Sequence, residues 1–130
     1  MNKITIADVL GMEFDWFAVD CDNNLALFST IGSGCIPDNV ASDLNAHDDF
    51  SSMLDDAAYK MKIKSKNMAH YAKLGLYVYE FCYKSNQYIH VDTPRSNEGL
   101  FVDKVPGNVK RFKFSFTDTI NVDRDFKKVK

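Results

Sequence analysis

Hydrophobic residues follow two different spacings along the chain, a strand-like pattern at both ends and a helix-like repeat in the middle. Between residues 13 and 20 apolar side chains fall on both faces of an extended segment, which is typical of an interior strand. Residues 25–30 repeat that pattern after a polar turn at 22–24. The first part of the chain therefore predicts a β-hairpin. A short helix or turn is predicted before it, over residues 4–11.

The middle of the chain has apolar residues at spacings of three and four, which predicts a helix from Asp38 to about Lys64. The predicted buried stripe consists of Val40, Leu44, His47, Phe50, Leu54, Ala57 and Met61. Aspartate is a poor residue for a helix interior, so a break is expected near residues 45–49. A second short helix is predicted over residues 67–73 and ends at Gly75.

The last part of the chain returns to strand-like patterns that are rich in aromatic residues. Strands are predicted over residues 76–83, 88–91, 100–102 and 111–116. In the last of these, alternation places Phe112, Phe114 and Phe116 toward a core and the basic residues toward water. Ile120 and Val122 keep the same parity.

These elements predict an α+β fold, with a mainly antiparallel sheet built from hairpins and a helical segment, about 38–73, packed on one face. A chain of 130 residues without a linker or repeat is expected to form a single domain, residues 1–130. It has no apolar run near the ~20 residues that a membrane helix needs, and no signal-peptide pattern. We therefore expect a cytoplasmic protein that is not associated with a membrane.

Charge is distributed unevenly along the chain although the net charge is only −2. Residues 1–59 contain eleven acidic residues and one basic residue, whereas residues 60–130 contain seven acidic and fifteen basic residues. Such asymmetry indicates distinct interaction surfaces, unless folding interleaves the two halves. Basic stretches at 60–66 and 111–113 suit phosphate contacts, but the overall pI near 5.9 argues against nucleic acid as the main partner.

The hairpin turn contains an Asp-x-Asp pair, Asp20 and Asp22, which invites comparison with metal and phosphotransfer sites. A calcium loop would need glycine where Leu25 stands and a bidentate glutamate where Ile31 stands. The pair also resembles the opening motif of haloacid dehalogenases, a family that needs a parallel sheet and further motifs. A small hydrolase or phosphotransfer enzyme that uses these two acids is therefore the third choice among functions.

Other chemically suggestive residues stand alone in the sequence. Gly32-x-Gly34 lacks the third glycine of a dinucleotide fingerprint. Three histidines and three cysteines occur without partners at metal-ligand or nucleophile spacing. We therefore expect no catalytic residues, no metal and no cofactor.

Two segments resemble a group of small bacterial proteins. The first is Ala18-Val19-Asp20, followed by the strand 26–30 and Gly32-Ser33-Gly34-Cys35-Ile36-Pro37. The second is the aromatic strand 76–83 followed by Tyr88-Ile89-His90-Val91-Asp92-Thr93-Pro94. The group is similar to immunity proteins of bacterial toxin systems, including contact-dependent growth inhibition. The resemblance implies inhibition of a cognate toxin by tight binding, and it carries over no catalytic residue.

An immunity role fits the charge distribution, because toxic nuclease domains are usually basic where they bind phosphates. The candidate toxin-binding residues are Asp15, Asp20, Asp22, Asp43, Asp48, Asp49, Asp55 and Asp56. The alternative is a small-molecule-binding or regulatory domain whose ligand lies against the aromatic strand 76–83.

Overall fold

The computed structural model describes residues 3–9, 11–63, 69–116 and 119–126. The helices are α1 (Ile6–Val9), α2 (Asp38–Ala41), α3 (Leu44–Lys60), α4 (Ala69–Lys73) and α5 (Val122–Asp125), with a 3₁₀ turn at Val102–Lys104. The strands are β1 (Asp15–Val19), β2 (Leu25–Ser29), β3 (Tyr77–Cys82), β4 (Gln87–Asp92), β5 (Lys110–Arg111) and β6 (Ile120–Asn121).

The strands form one sheet in the order β5-β1-β2-β3-β4-β6. The predicted hairpins β1–β2 and β3–β4 are antiparallel, as is β4–β6. However, β2–β3 and β1–β5 are parallel, so the sheet is mixed. The parallel pair β2–β3 follows from the long helical crossover between these strands, which returns the chain to the same end of the sheet. The α+β class is confirmed.

One face of the sheet carries a row of aromatic rings that crosses four strands. Trp16 and Phe28 are partners in the β1–β2 register, and their rings stack with centroids 4.3 Å apart. Phe28 pairs in turn with Tyr79 on β3, at 4.7 Å. Tyr79 stacks on His90 of β4, at 5.2 Å. The C-terminal segment covers this row with buried phenylalanines, among them Phe116.

Helix α3 covers the opposite face. Phe17 on β1 packs edge-on against Phe50 of α3, with ring centroids 4.7 Å apart. The buried residues of α3 are Leu44, His47, Phe50, Leu54 and Ala58. The last turn of the stripe differs from the prediction: Ala58 is buried and Ala57 only partly buried, and Met61 is exposed because the helix ends at Lys60.

The helix boundaries also differ from the predictions. The break lies at Ser42–Asp43, between α2 and α3, and not at residues 45–49. The second short helix is described from Ala69, so its predicted first residues, 67–68, lie outside the described residues. Within the described ranges, we find no helix with the length and apolar character needed to cross a membrane.

Two predicted strands are not strands. Residues 100 and 101 form a turn, and Val102 begins the 3₁₀ turn. Only Lys110 and Arg111 form a strand where residues 111–116 were expected to alternate. Phe112 and Phe116 are buried as predicted, but Phe114 is 37% exposed. The alternation ends because residues 114–116 hydrogen-bond to the β1–β2 turn instead of a neighbouring strand.

Candidate functional site

A cleft of about 410 Å³ opens where the start of β1 and the end of β2 meet α3 and α4. Its lining residues are Glu13, Phe14, Asp15, Ser29, Asp48, Ser51, Asp55, His70 and Tyr71. Four of them are carboxylates, and no lysine or arginine is found among the described residues that line it. The cleft is therefore a concentrated acidic surface.

Local structure explains why these residues converge. Asp15 and Ser29 are directly opposite in the β1–β2 register and share the face that α3 covers. Asp48, Ser51 and Asp55 follow one another at offsets of three and four, so they lie along one side of α3. Packing that side of the helix over the hairpin end places the acids of both elements around one opening.

This clustering of acidic residues shifts the pKa of Asp15. Its pKa is raised to about 6, first by burial and then by the negative charges of Glu13, Asp55 and Asp48. The hydroxyl of Ser29 opposes the shift by hydrogen bonding to the carboxylate. Burial and the neighbouring negative charges therefore disfavour the ionised form of Asp15. A cation placed beside the carboxylate would stabilise that form.

Helix α4 supplies the opposite wall of the cleft. The Tyr71 hydroxyl donates a 2.8 Å hydrogen bond to Oδ1 of Asp55. Nε2 of His70 lies 3.3 Å from the same oxygen. Burial and the hydrogen bond to this carboxylate raise the pKa of Tyr71, so the phenol keeps its proton and remains a donor. These contacts fix the orientation of Asp55 at the edge of the cleft.

An exposed aromatic side chain continues the same side of α3. Tyr59 is four residues after Asp55, and 84% of its surface is exposed. Exposed tyrosines of this kind are enriched where proteins bind other proteins.

The remaining predicted acids of α3 lie away from the cleft. Asp49 borders a second, more open depression that is also lined by Lys104, so a base of the second half of the chain lies near it. Asp56 forms a 2.9 Å ion pair with Lys60 on the helix surface. Asp43 is half-buried just before α3, where Asn108 donates to it at 3.4 Å. Lys104 and Lys60, from the basic second half, thus lie next to these acids, whereas no lysine or arginine is found among the described residues of the cleft lining.

Asp20 and Asp22 lie at the other end of the hairpin. Asp20 is 3% exposed, and its carboxylate accepts hydrogen bonds from the backbone N–H groups of Asp22, Asn24 and Phe116 and from the Asn24 amide. Asp22 is exposed and accepts a 2.6 Å hydrogen bond from the Ser115 hydroxyl. Asp20 therefore joins the turn to the C-terminal segment, and we do not include it in a binding surface.

The geometry gives little support to the two alternative functions. These are a ligand-binding domain that uses strand 76–83 and a hydrolase that uses Asp20 and Asp22. Tyr79, in the centre of the aromatic strand, is fully buried by the side chains of Phe28, Phe116 and His90. A ligand could not contact Tyr79 without displacing these rings. The Asp20 oxygens, which a hydrolase would need for metal, already accept N–H groups. No group of three or more His, Cys, Asp or Glu suited to a metal ion occurs in the described ranges.

Sequence reasoning missed part of the cleft. Glu13 has the same parity as Asp15, two residues before it, and that spacing was the available indication that both face α3. His70 and Tyr71 carried no such indication, because their contacts depend on how α4 packs beside α3.

Comparisons of the chain with protein-family models, with curated proteins and with solved structures found no match. The comparisons therefore assign no function, ligand or partner to the cleft.

Proposed function

We propose that this protein is a cytoplasmic immunity protein, which binds a cognate bacterial toxin domain, a nuclease, and blocks it without catalysis of its own. The observation that carries the proposal is the convergence of Asp15, Asp48 and Asp55, with Glu13, on one cleft without a described lysine or arginine in its lining. The resemblance of the hairpin and the aromatic strand to immunity proteins points the same way.

The chemistry of the cleft suits a basic partner. Nuclease domains present lysine and arginine where they contact phosphates, and an acidic surface steers such a domain into contact and competes for those groups. A cationic side chain beside Asp15 would favour the ionised carboxylate and offset the repulsion from its neighbours. Coupling between close charge pairs across protein interfaces reaches about 1.5–7 kcal/mol, whereas charges at the rim mainly change the association rate.

Tyr59 gives the surface an uncharged anchor. It projects from α3 one turn beyond Asp55, so a partner that covers the cleft would also cover this ring. Tyrosine buries a large apolar area at low entropic cost, which is why it often dominates binding energy.

The proposal is tested with the C-terminal domain of the protein encoded directly upstream, as a catalytically inactive variant that can be purified. Calorimetry at rising salt should show a complex whose affinity falls about tenfold or more between 50 mM and 500 mM salt. The reason is that salt screens the attraction between exposed charges on the two proteins. No binding at low salt would overturn the proposal.

Two double variants on α3 test the location. Asp48→Asn with Asp55→Asn removes charge from the cleft, and the asparagine oxygen at 55 can still accept from Tyr71. Asp49→Asn with Asp56→Asn removes the same charge from positions roughly 100° around the helix, outside the cleft lining. We expect a loss of about tenfold or more for the first pair and under about threefold for the second. Equal losses would contradict the cleft as the binding centre.

A further inference from the structure

Ile31 has a backbone conformation that is unusual for its type. Its φ is 50°, in the left-handed region, where a β-branched side chain is an outlier. The residue is also 43% exposed, so burial of its side chain in the core does not explain why an isoleucine stands there. Strained residues of this kind persist where the surroundings impose the conformation, and they cluster at functional sites.

The surroundings do impose it. The buried Thr30 hydroxyl accepts hydrogen bonds from the N–H of Phe14, at 3.0 Å, and of Gly32, at 3.3 Å. The Thr30 carbonyl accepts the N–H groups of Ser33 and Gly34. These bonds hold the chain on both sides of Ile31 and leave its side chain at the surface.

A second exposed apolar residue belongs to the same end of the hairpin. Met12 is 64% exposed, and its carbonyl lies 3.5 Å from the Thr30 hydroxyl. The N–H of Gly11 donates to the carbonyl of Gly32 at 3.0 Å, which ties the segment before β1 to the segment after β2. Met12 immediately precedes Glu13, and Ile31 follows Ser29 by two residues, so the pair lies at the same end of the hairpin as the acidic cleft that Glu13 and Ser29 line.

We propose that Met12 and Ile31 form the apolar anchor of the surface that docks the basic toxin domain, beside the acidic cleft. This inference rests on the proposed function, and it assigns binding energy to residues that carry no charge. Charge complementarity favours a basic partner over a second copy of this chain, since two copies would bring their clefts of like charge together. Apolar side chains that are covered in a complex contribute to its affinity, whereas the neighbouring charges increase the association rate and the selectivity for a partner.

The proposal predicts that one substitution at Ile31 raises the melting temperature but lowers the affinity for the toxin domain, and the test measures both quantities. Ile31→Gly relieves the left-handed strain, so the melting temperature, followed by the fluorescence of Trp16, should rise by about 2–5 °C. The same change should weaken binding to the inactive upstream-encoded domain about tenfold or more, because the anchor is lost. Ile31→Val keeps the strain and most of the apolar surface, and its affinity should stay within about threefold.

Asn23→Gly is the matched control. Asn23 also has a positive φ, 61°, and is exposed, but it lies in the β1–β2 turn at the opposite end of the hairpin. It should bind like the natural sequence.

The outcomes separate the two proposals. If the natural sequence binds and Ile31→Gly binds equally well, the anchor is wrong and the proposed function stands. If the natural sequence does not bind at low salt, the proposed function fails and the anchor fails with it. If sedimentation shows that the free chain forms a dimer that Ile31→Gly dissociates, the occupant is a second copy and the anchor for a toxin is refuted.

Discussion

The backbone N–H of Phe17, in the middle of β1, donates a 3.1 Å hydrogen bond to Nδ1 of His47 on α3. Nε2 of the same imidazole lies 3.1 Å from the carbonyl of Asn108, so Nε2 carries the proton and donates. The fully buried ring therefore connects helix, sheet and the loop before β5. It satisfies a strand N–H that the two-residue strand β5, paired only with Ala18 and Val19, does not reach.

Replacing His47 with leucine should lower the free energy of unfolding by about 2–4 kcal/mol, because the buried N–H of Phe17 and the partly buried carbonyl of Asn108 lose their partner. His47→Gln, which can both accept and donate, should recover part of that loss. Urea unfolding of both variants measures the difference. Equal losses for leucine and glutamine would show that the ring contributes shape and not hydrogen bonds.

Asp20→Asn should destabilise the protein by about 1–3 kcal/mol, because an amide nitrogen replaces one oxygen that accepts buried N–H groups. Binding to the toxin domain by the folded variant should not change, since Asp20 is buried away from the cleft. Asp22→Asn, at the exposed neighbour, serves as the control and should cost under about 1 kcal/mol. A folded Asp20→Asn variant that loses affinity for the toxin domain would show that Asp20 contributes to binding after all.

Asp15→Asn should stabilise the protein above pH 6 and leave its stability nearly unchanged at pH 4. The folded-state pKa of Asp15 is about 6, above its ordinary value of 3.8. The folded protein therefore holds this proton more tightly, and the contribution of Asp15 to stability is lost as pH rises from about 4 through 6. At pH 7.5 the variant should gain about 1–3 kcal/mol.

The measurement is the difference in unfolding free energy between variant and natural sequence at pH 4.5, 6 and 7.5. Taking the difference removes the opposing effect of His47, whose pKa is lowered by burial and whose contribution is lost as pH falls below 6.5. A difference that is constant with pH would show that Asp15 is not perturbed.

Gly34→Ala should destabilise the fold by about 2–4 kcal/mol, because a Cβ would lie 2.5 Å from the Tyr88 hydroxyl and 2.9 Å from the Thr30 Cα. That hydroxyl donates to the Cys35 carbonyl and accepts from the Trp16 indole, so it has little freedom to move. Gly107→Ala is the control, since its Cβ would meet nothing within 4 Å. Thermal unfolding followed by Trp16 fluorescence should separate the two variants, and similar melting temperatures would contradict the packing described for Gly34.

Local patterns predicted the hairpins and their faces correctly because strand parity depends on neighbouring residues alone. Trp16 and Phe17 fall on opposite faces of β1 as their alternation indicated. The parallel pairing of β2 with β3 was missed, since it depends on the path of the helical crossover. The strand expected at 111–116 failed for a similar reason, because the buried Asp20 carboxylate binds the N–H of Phe116.

The sequence indicated an acidic surface but not which acidic residues converge on one cleft. The acidic half of the chain pointed to an acidic surface, yet Asp48 and Asp49, adjacent in sequence and roughly 100° apart around α3, border different depressions. Which side meets Asp15 depends on the rotation of the helix over the sheet. That rotation is set by buried contacts such as Phe17 with Phe50, which a list of charges does not contain.

We propose that the chain neutralises a toxic nuclease by direct binding. The most direct measurement is the nuclease activity of the active, purified C-terminal domain encoded upstream, with fixed amounts of DNA and RNA and rising amounts of this protein. Cleavage should fall in proportion to added protein and stop near equimolar amounts, and the Asp48→Asn, Asp55→Asn variant should be needed in excess. Undiminished cleavage at a large excess of the natural sequence would contradict it.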